Sequence, residues 1–363
     1  MDARHARWRA RAEQVEAEGL RRTLRTLVPV SATTAGVVGS DRLYNVFNSN
    51  DYLGLSGHPE VVAAMGSGGA GAARLMSGNR PGHDALEEQL SDWLGRAATL
   101  FGSGYLANLA VFSALFGEGD RVASDALNHA SIIDGLRLSK CERVILPHGS
   151  AAAPVGTTVI AVEGLYSMDG DIPPFAALPA DPLLVVDDAH ALGCLGPGGR
   201  GAAADAGVVP DILVGTLGKA FGAAGAFVVG PPAVRELLVS TSRPFIYTTA
   251  MPEGVALAAS AGLRLATDER REQLRQNTAR LRCGLLALRV PILGVAHIVP
   301  IVTGARTMGF AARLAEAGFL VGAVRYPTVA RGQERLRITL SAAHTDDQID
   351  RLIGALAGAL TVG

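Results

Sequence analysis

Thr216-Leu217-Gly218-Lys219-Ala220-Phe221-Gly222 closes an apolar run that starts at Ile212, and it holds one of only two lysines in 363 residues. The chain uses arginine at nearly every other cationic position. A primary amine can add to a carbonyl, whereas a guanidinium cannot. Asp187 and His190 follow a second apolar run, Leu183-Leu184-Val185-Val186. An amine on a small-residue turn, with a carboxylate and an imidazole at another strand end, points to a covalently held carbonyl cofactor, pyridoxal phosphate. The other lysine, Lys140 in Ser139-Lys140-Cys141-Glu142-Arg143, lies in a polar stretch that reads as solvated surface.

Outward from this turn, short apolar runs alternate with helical stretches: Ala98 to Phe101, Arg121 to Ala123, Arg143 to Leu146, Thr158 to Val162, Leu183 to Val186, Ile212 to Val214 and Ala226 to Val229. Runs this short and apolar suit strands buried on both faces of a mostly parallel seven-stranded α/β sheet with helices as crossovers. The last two connections look too short for helices. Asp211 to Val229 in particular reads as two antiparallel strands joined by the Lys219 turn. Arg42 to Phe47 reads as a short strand, and Met251 to about Leu288 as two long helices. The remainder alternates strand, helix, strand, strand, helix, as expected of a small C-terminal α+β domain. The predicted organisation is an N-terminal helix and short strand over 1–44, a large cofactor-binding α/β domain over 45–256, and the small domain over 257–363.

An apolar fraction of 48% with 18% charged residues implies a large buried core, and a net charge of −1 gives no cause to invoke nucleic acid or an acidic membrane. Cys141, Cys194 and Cys283 show no paired spacing, which implies a reduced, cytoplasmic setting without a structural metal. The Arg-rich first 27 residues include Glu13, Glu16 and Glu18, so they read as an amphipathic helix rather than a transit peptide. No apolar stretch reaches the roughly 20 residues that span a bilayer.

Gly66-Ser67-Gly68-Gly69-Ala70-Gly71 matches the dinucleotide fingerprint in letters but follows a helical stretch, Pro59 to Met65, instead of a buried strand. The lysine turn is not a P-loop, because the required first glycine would fall on Leu213. Asp187 alone would read as a turn cap. Together with Lys219 and His190 it reads as the partner of a protonated pyridine nitrogen. His129 opens a helix and is placed either to stack on a cofactor ring or to cap that helix. Ser103-Gly104-Tyr105 opens another, where backbone amides could hold a phosphate or merely turn the chain. Arg337 alternates with apolar neighbours on a strand, as a fork for a substrate carboxylate or as a surface arginine.

In order along the chain, several motifs resemble the α-oxoamine synthases, a family of fold-type-I pyridoxal phosphate transferases. They are Asn50-Asp51-Tyr52-Leu53-Gly54-Leu55, Arg74-Leu75-Met76-Ser77-Gly78-Asn79 with His83 and Leu86-Glu87, Asn128-His129-Ala130-Ser131, Glu163-Gly164-Leu165-Tyr166-Ser167-Met168-Asp169-Gly170-Asp171, Asp187-Asp188-Ala189-His190, Thr216 to Lys219, and Pro327-Thr328-Val329 before Arg337. The resemblance runs from about Leu20 to Leu360. The residues around Arg74 are most similar to the branch that joins L-alanine to a pimeloyl thioester in biotin biosynthesis.

The resemblance implies that Lys219 carries the cofactor as a Schiff base, Asp187 partners the pyridine nitrogen and His190 hydrogen-bonds the ring hydroxyl. His129 would stack on the ring, with Ser167, Thr216, Gly104 and Tyr105 about its oxygens and phosphate. Catalysis would rest on Lys219, His129 and Asp187. Arg337 would hold the amino-acid carboxylate, with Arg21, Asn50 and Thr328 near the substrate. The family's site lies at a homodimer interface, where Thr249 would reach the partner subunit's phosphate. The resemblance implies a thioester substrate and leaves its carrier open between coenzyme A and an acyl carrier protein. Two readings stay beside this one: a relative that joins glycine or serine to another acyl thioester, and a cofactor-binding subunit without catalysis of its own. The stretches Gly149 to Gly156 and Pro174 to Leu183 are shorter than the family's usual crossovers, so trimmed connections at the sheet's periphery are expected. Ala330 stands where the family often has a second proline.

Overall fold

A computed structural model of the chain describes residues 3–66 and 68–361. The seven apolar runs all become strands of one sheet: β4 (Ala97–Phe101), β5 (Arg121–Asp125), β6 (Glu142–Leu146), β7 (Val159–Glu163), β8 (Leu183–Asp187), β9 (Ile212–Thr216) and β10 (Ala226–Gly230). They are numbered after three N-terminal strands, β1 (Leu27–Ser31), β2 (Thr34–Val37) and β3 (Leu43–Phe47). The order is β4-β10-β9-β8-β7-β5-β6. The five strands from β9 to β6 are parallel, and β10 runs antiparallel to both of its neighbours.

Alternation within each run explains why these strands are apolar throughout. Val159, Ala161, Val185, Ile212, Val214, Ala226 and Val228 belong to a core on one face. Their sequence neighbours Ile160, Val162, Val186, Leu213, Phe227 and Val229 belong to the core on the other. A strand with two buried faces has no use for a polar side chain before its end. The first polar residues on β7, β8 and β9 therefore come at the carboxyl ends, as Glu163, Asp187 and Thr216. That edge is where open α/β sheets bind ligands.

The β9–β10 connection is the Lys219 turn, without a helix, as its length demanded. The β8–β9 connection departs from expectation. Its intervening residues include a short helix, Ala202–Asp205, and the chain returns parallel. The two trimmed connections carry no α-helix; the first is coil and the second holds only the short 3-10 turn Phe175–Ala177. β6, which precedes the first of them, is the outermost strand.

β1, β2 and β3 join β11 (Ile298–Val302), β12 (Phe319–Val324) and β13 (Arg335–Thr339) in a second sheet ordered β1-β2-β3-β12-β13-β11. β3 pairs parallel with β12, so a segment near the N-terminus is built into the sheet of the C-terminal lobe. The helices Glu253–Leu265 and Asp268–Ala287 lead into that lobe. The N-terminal helix forms at Ala6–Ala17, but none of its side chains is buried, so it turns no apolar stripe to a core of its own chain. Pro59–Ala64 is helical and Gly68 to Gly71 is not, which denies that run the strand–turn–helix setting of a dinucleotide site; Ser67 lies outside the described residues. Among the described residues no helix is long and apolar enough to cross a membrane.

Candidate active site

Asp187 and Lys219 leave adjacent parallel strands at the carboxyl edge. The lysine turn is held tightly: the Gly222 N–H donates to the Lys219 carbonyl at 3.1 Å, and Thr216 Oγ1 donates to the Gly225 carbonyl at 3.1 Å. Gly222 has φ +65°, and a Cβ there would lie 2.4 Å from the Leu55 backbone, so only glycine lets the turn close on that segment.

Lys219 Nζ lies 2.8 Å from His190 Nε2. Burial is the main force on both groups. It lowers the amine to about 8, against the opposing pull of Asp187 and Glu163. It also drives the His190 imidazole well below its usual value, helped by Lys219 and Arg337. Asp187 Oδ2 accepts from Asn108 Nδ2 at 2.6 Å, and Oδ1 from the Ala189 N–H at 3.2 Å. Asn108 also reaches Ser131 Oγ at 2.9 Å, and that hydroxyl lies 2.7 Å from His129 Nδ1. His129 is thus fixed beside the same carboxylate, and burial lowers its affinity for a proton.

On the far side, Arg337 on β13 is buried, and its two terminal nitrogens each donate to Asn50 Oδ1 at 3.3 Å. Its Nε donates to the Ser167 carbonyl, which ties the Glu163–Asp171 loop to the C-terminal lobe. Tyr52 links the two halves, with its hydroxyl 3.0 Å from Asn50 Oδ1 and 2.6 Å from His190 Nδ1. Gly104 and Tyr105 begin the helix Gly104–Leu115, capped by Ser103, whose side chain accepts from the Leu106 N–H. Tyr105 hydrogen-bonds Asp134 and meets the His129 ring edge-on, with centroids 6.3 Å apart.

Hydrogen bonds therefore join Lys219, His190, Asn50, Arg337 and the Ser167 backbone through Tyr52, and Asp187 and His129 through Asn108 and Ser131, with the charge of Asp187 acting on Lys219 between the two. Arg21, Thr328 and Thr249 stand apart from these groups in the single chain. Arg21 is exposed and paired with Glu16 at 2.8 Å. Thr328 is exposed and accepts from Arg22, not Arg21. Thr249 is exposed on a bridge to Ala73.

Residue-by-residue reading gave no role to four side chains that the fold brings in. Asn108 is one turn beyond Gly104 on a largely apolar helix, a polar residue at a buried position, and that was its available signal. Glu163 lies in register with Asp187 on the neighbouring strand, and burial raises its carboxyl well above the usual range, with Asp187 adding to the effect. Tyr52 is fully buried among the residues that follow Asn50. The His297 ring lies tilted against Tyr52, with centroids 4.2 Å apart, and is held neutral by burial at about 3, and no local pattern marks it.

Known proteins share this chain's family and fold. The family described as aminotransferase class I and II matches residues 45–356. An 8-amino-7-oxononanoate synthase of Anaeromyxobacter dehalogenans is 44% identical over 97% of this chain and 94% of its own length. A serine palmitoyltransferase from S. paucimobilis, solved with a bound PLP–myriocin aldimine, superposes with a TM-score of 0.90 at 29% identity, covering 99% of this chain and 98% of that one. An 8-amino-7-oxononanoate synthase structure from Francisella tularensis gives a TM-score of 0.76 at 29% identity over 88% of this chain and 98% of its own. With its two-faced parallel sheet, its lysine turn at the strand ends and these likenesses along nearly its whole length, the chain belongs to the aminotransferase class I and II family, among the α-oxoamine synthases.

Proposed function

We propose that this chain joins L-alanine to a pimeloyl thioester, carried by coenzyme A or an acyl carrier protein, to give 8-amino-7-oxononanoate, carbon dioxide and free thiol, as a homodimer that uses pyridoxal phosphate. The observation that carries the reading is a buried amine with a lowered proton affinity and a buried guanidinium fork in one hydrogen-bonded cluster, in a chain 44% identical to a protein bearing that synthase's name.

The residues fit the cofactor. Each Asp187 oxygen has one donor, which leaves lone pairs for a protonated ring nitrogen. The helix that starts at Gly104 offers amide donors, and a Cβ built on Gly104 meets nothing within 4 Å, so its approach is open to a phosphate. Pyridoxal phosphate, when bound, supplies a carbonyl for the lysine and a ring that accepts carbanion charge.

Every other part belongs to the chain. Lys219 would anchor the cofactor and, freed by the incoming amino group, would take the proton from the alanine Cα. An amine near 8 is far better suited to that step near neutral pH than one at about 10.4. Asp187 keeps the ring nitrogen charged, and His190 holds the ring hydroxyl. His129 would cover the ring and hydrogen-bond the substrate carboxylate or the condensing carbonyl. Arg337 and Asn50 bind the amino-acid carboxylate until it is lost as carbon dioxide, with Thr328 and Arg21 at the outer rim. Ser167 and Thr216 would lie beside the cofactor oxygens.

Assembly of two copies places Thr249 of one against the phosphate held by the other. Supporting this, Leu75, Met76 and Tyr247 are exposed on either side of the Ala73–Thr249 bridge, an apolar surface suited to a second copy. The test is a panel of alanine, glycine and serine against pimeloyl, acetyl, succinyl and palmitoyl thioesters, followed by thiol release. Alanine with a pimeloyl thioester should exceed every other pair. A preference for glycine or serine with another acyl chain would contradict the proposal.

A further inference from the structure

Tyr52 has no part in the reaction outlined above, yet its hydroxyl joins the amine side of the site to the carboxylate-binding side. It has one proton and two neighbouring acceptors, His190 Nδ1 at 2.6 Å and Asn50 Oδ1 at 3.0 Å. Asn50 Oδ1 already receives two N–H bonds from Arg337, and a buried ring nitrogen left without a donor is costly. The side chain is fully buried, and desolvation outweighs the pull of Arg337, so the phenol keeps its proton. The imidazole of His190 is neutral for the same reason, with Lys219, Arg337, His297 and His129 around it. A neutral imidazole carries a single proton, and its neighbours decide which nitrogen holds it.

We propose that Tyr52 donates its proton to His190 Nδ1 and so fixes the tautomer in which Nε2–H points at the unprotonated amine of Lys219 and, in the holoenzyme, at the cofactor's ring oxygen. Tyr52 is a positioning residue, and the inference rests on the reading that His190 serves that oxygen. An N–H donor there stabilises negative charge on the oxygen. It thereby weakens the oxygen's hold on the proton it shares with the lysine nitrogen. Without Tyr52 the imidazole is free to keep its proton on Nδ1, and the donor toward the cofactor is lost.

The test is a pH titration of the visible cofactor band in holoenzyme carrying Tyr52→Phe, which keeps the ring packed on His297. The midpoint should rise by about one pH unit, a tenfold change in proton affinity. In a His190→Asn background the same substitution should add no further shift, because the effect passes through the imidazole. An unchanged midpoint in Tyr52→Phe, or an equal shift with and without His190, would overturn the proposal. The 15N resonances of His190 in the cofactor-free wild type give a second measurement, independent of loading. Above about pH 9, where the Lys219 amine has lost its proton and can accept from Nε2, protonated Nε2 with bare Nδ1 is expected, and protonated Nδ1 would overturn it. A failure of the underlying cofactor reading shows differently, as a wild-type protein with no visible band or a band that survives Lys219→Ala.

Discussion

The inner half of the site and its rim are built in opposite ways. Around Lys219, residues from β8, β13, the helix Gly104–Leu115 and the segment after β3 meet in a closed network in which Asp187, His190, Asn108 and Arg337 are all buried. At the rim, Tyr105, Thr249, Arg21 and Thr328 are exposed: Arg21 and Thr328 contact the N-terminal segment, Thr249 bridges Ala73, and Tyr105 bonds Asp134 and touches the His129 ring only edge-on. Chemistry that needs desolvation sits where one chain excludes water by itself. Recognition of a phosphate or a long acyl thioester is left to a surface that a second copy and the substrate complete. Substitutions inside should therefore cost turnover and cofactor spectrum together, whereas those at the rim should cost affinity.

The largest expected effect is that of Lys219→Ala, which should abolish both the visible absorbance of the bound cofactor and thiol release. Retention of either would break the assignment of the inner half. Asp187→Asn comes next. The amide keeps the shape and can still meet Asn108, so some cofactor should bind, but turnover should fall by roughly a hundredfold or more for want of the negative charge. Near-normal turnover would remove the ring-nitrogen role.

How far these residues could be read beforehand follows the same division. Lys219, Asp187 and His190 were legible because each ends or follows an apolar run, and a polar residue at the end of a doubly buried strand is conspicuous. All seven strands were legible for the same reason. Asn108, Tyr52 and His297 acquire their meaning from contacts 79, 138 and about 245 residues away in sequence, which no local pattern carries. Arg21 and Thr249 were expected from resemblance alone, and the single chain leaves both exposed. The joining of β1–β3 to the C-terminal sheet was likewise hidden, since pairing of β3 with β12 spans most of the chain.

A rim substitution probes the other side of the comparison. Thr249→Ala should leave maximal turnover nearly intact while weakening cofactor affinity about tenfold, the cost of one hydrogen bond to a charged group. Dilution titrations of the cofactor band would show it. A loss of turnover at saturating cofactor would place Thr249 in the inner half instead.

The smallest effect is on stability. The folded state holds Lys219 near 8, below its ordinary value of 10.5, so between these pH values the unfolded chain binds more protons and stability rises with pH. That contribution is fully present above the ordinary value and is lost as pH falls through 8. Urea midpoints of cofactor-free protein at pH 8 and pH 10 should therefore rise more in wild type than in Lys219→Met. Equal slopes would mean the amine is not desolvated.

The central claim is that the buried amine and the buried fork serve one carbon–carbon bond-forming reaction on alanine. Mass spectrometry of the product formed from L-alanine and a pimeloyl thioester tests it most directly. A product with the mass of 8-amino-7-oxononanoate, formed with carbon dioxide and one equivalent of free thiol, is the predicted result; thioester hydrolysis alone, or an N-acylated alanine that retains its carboxylate, would contradict it.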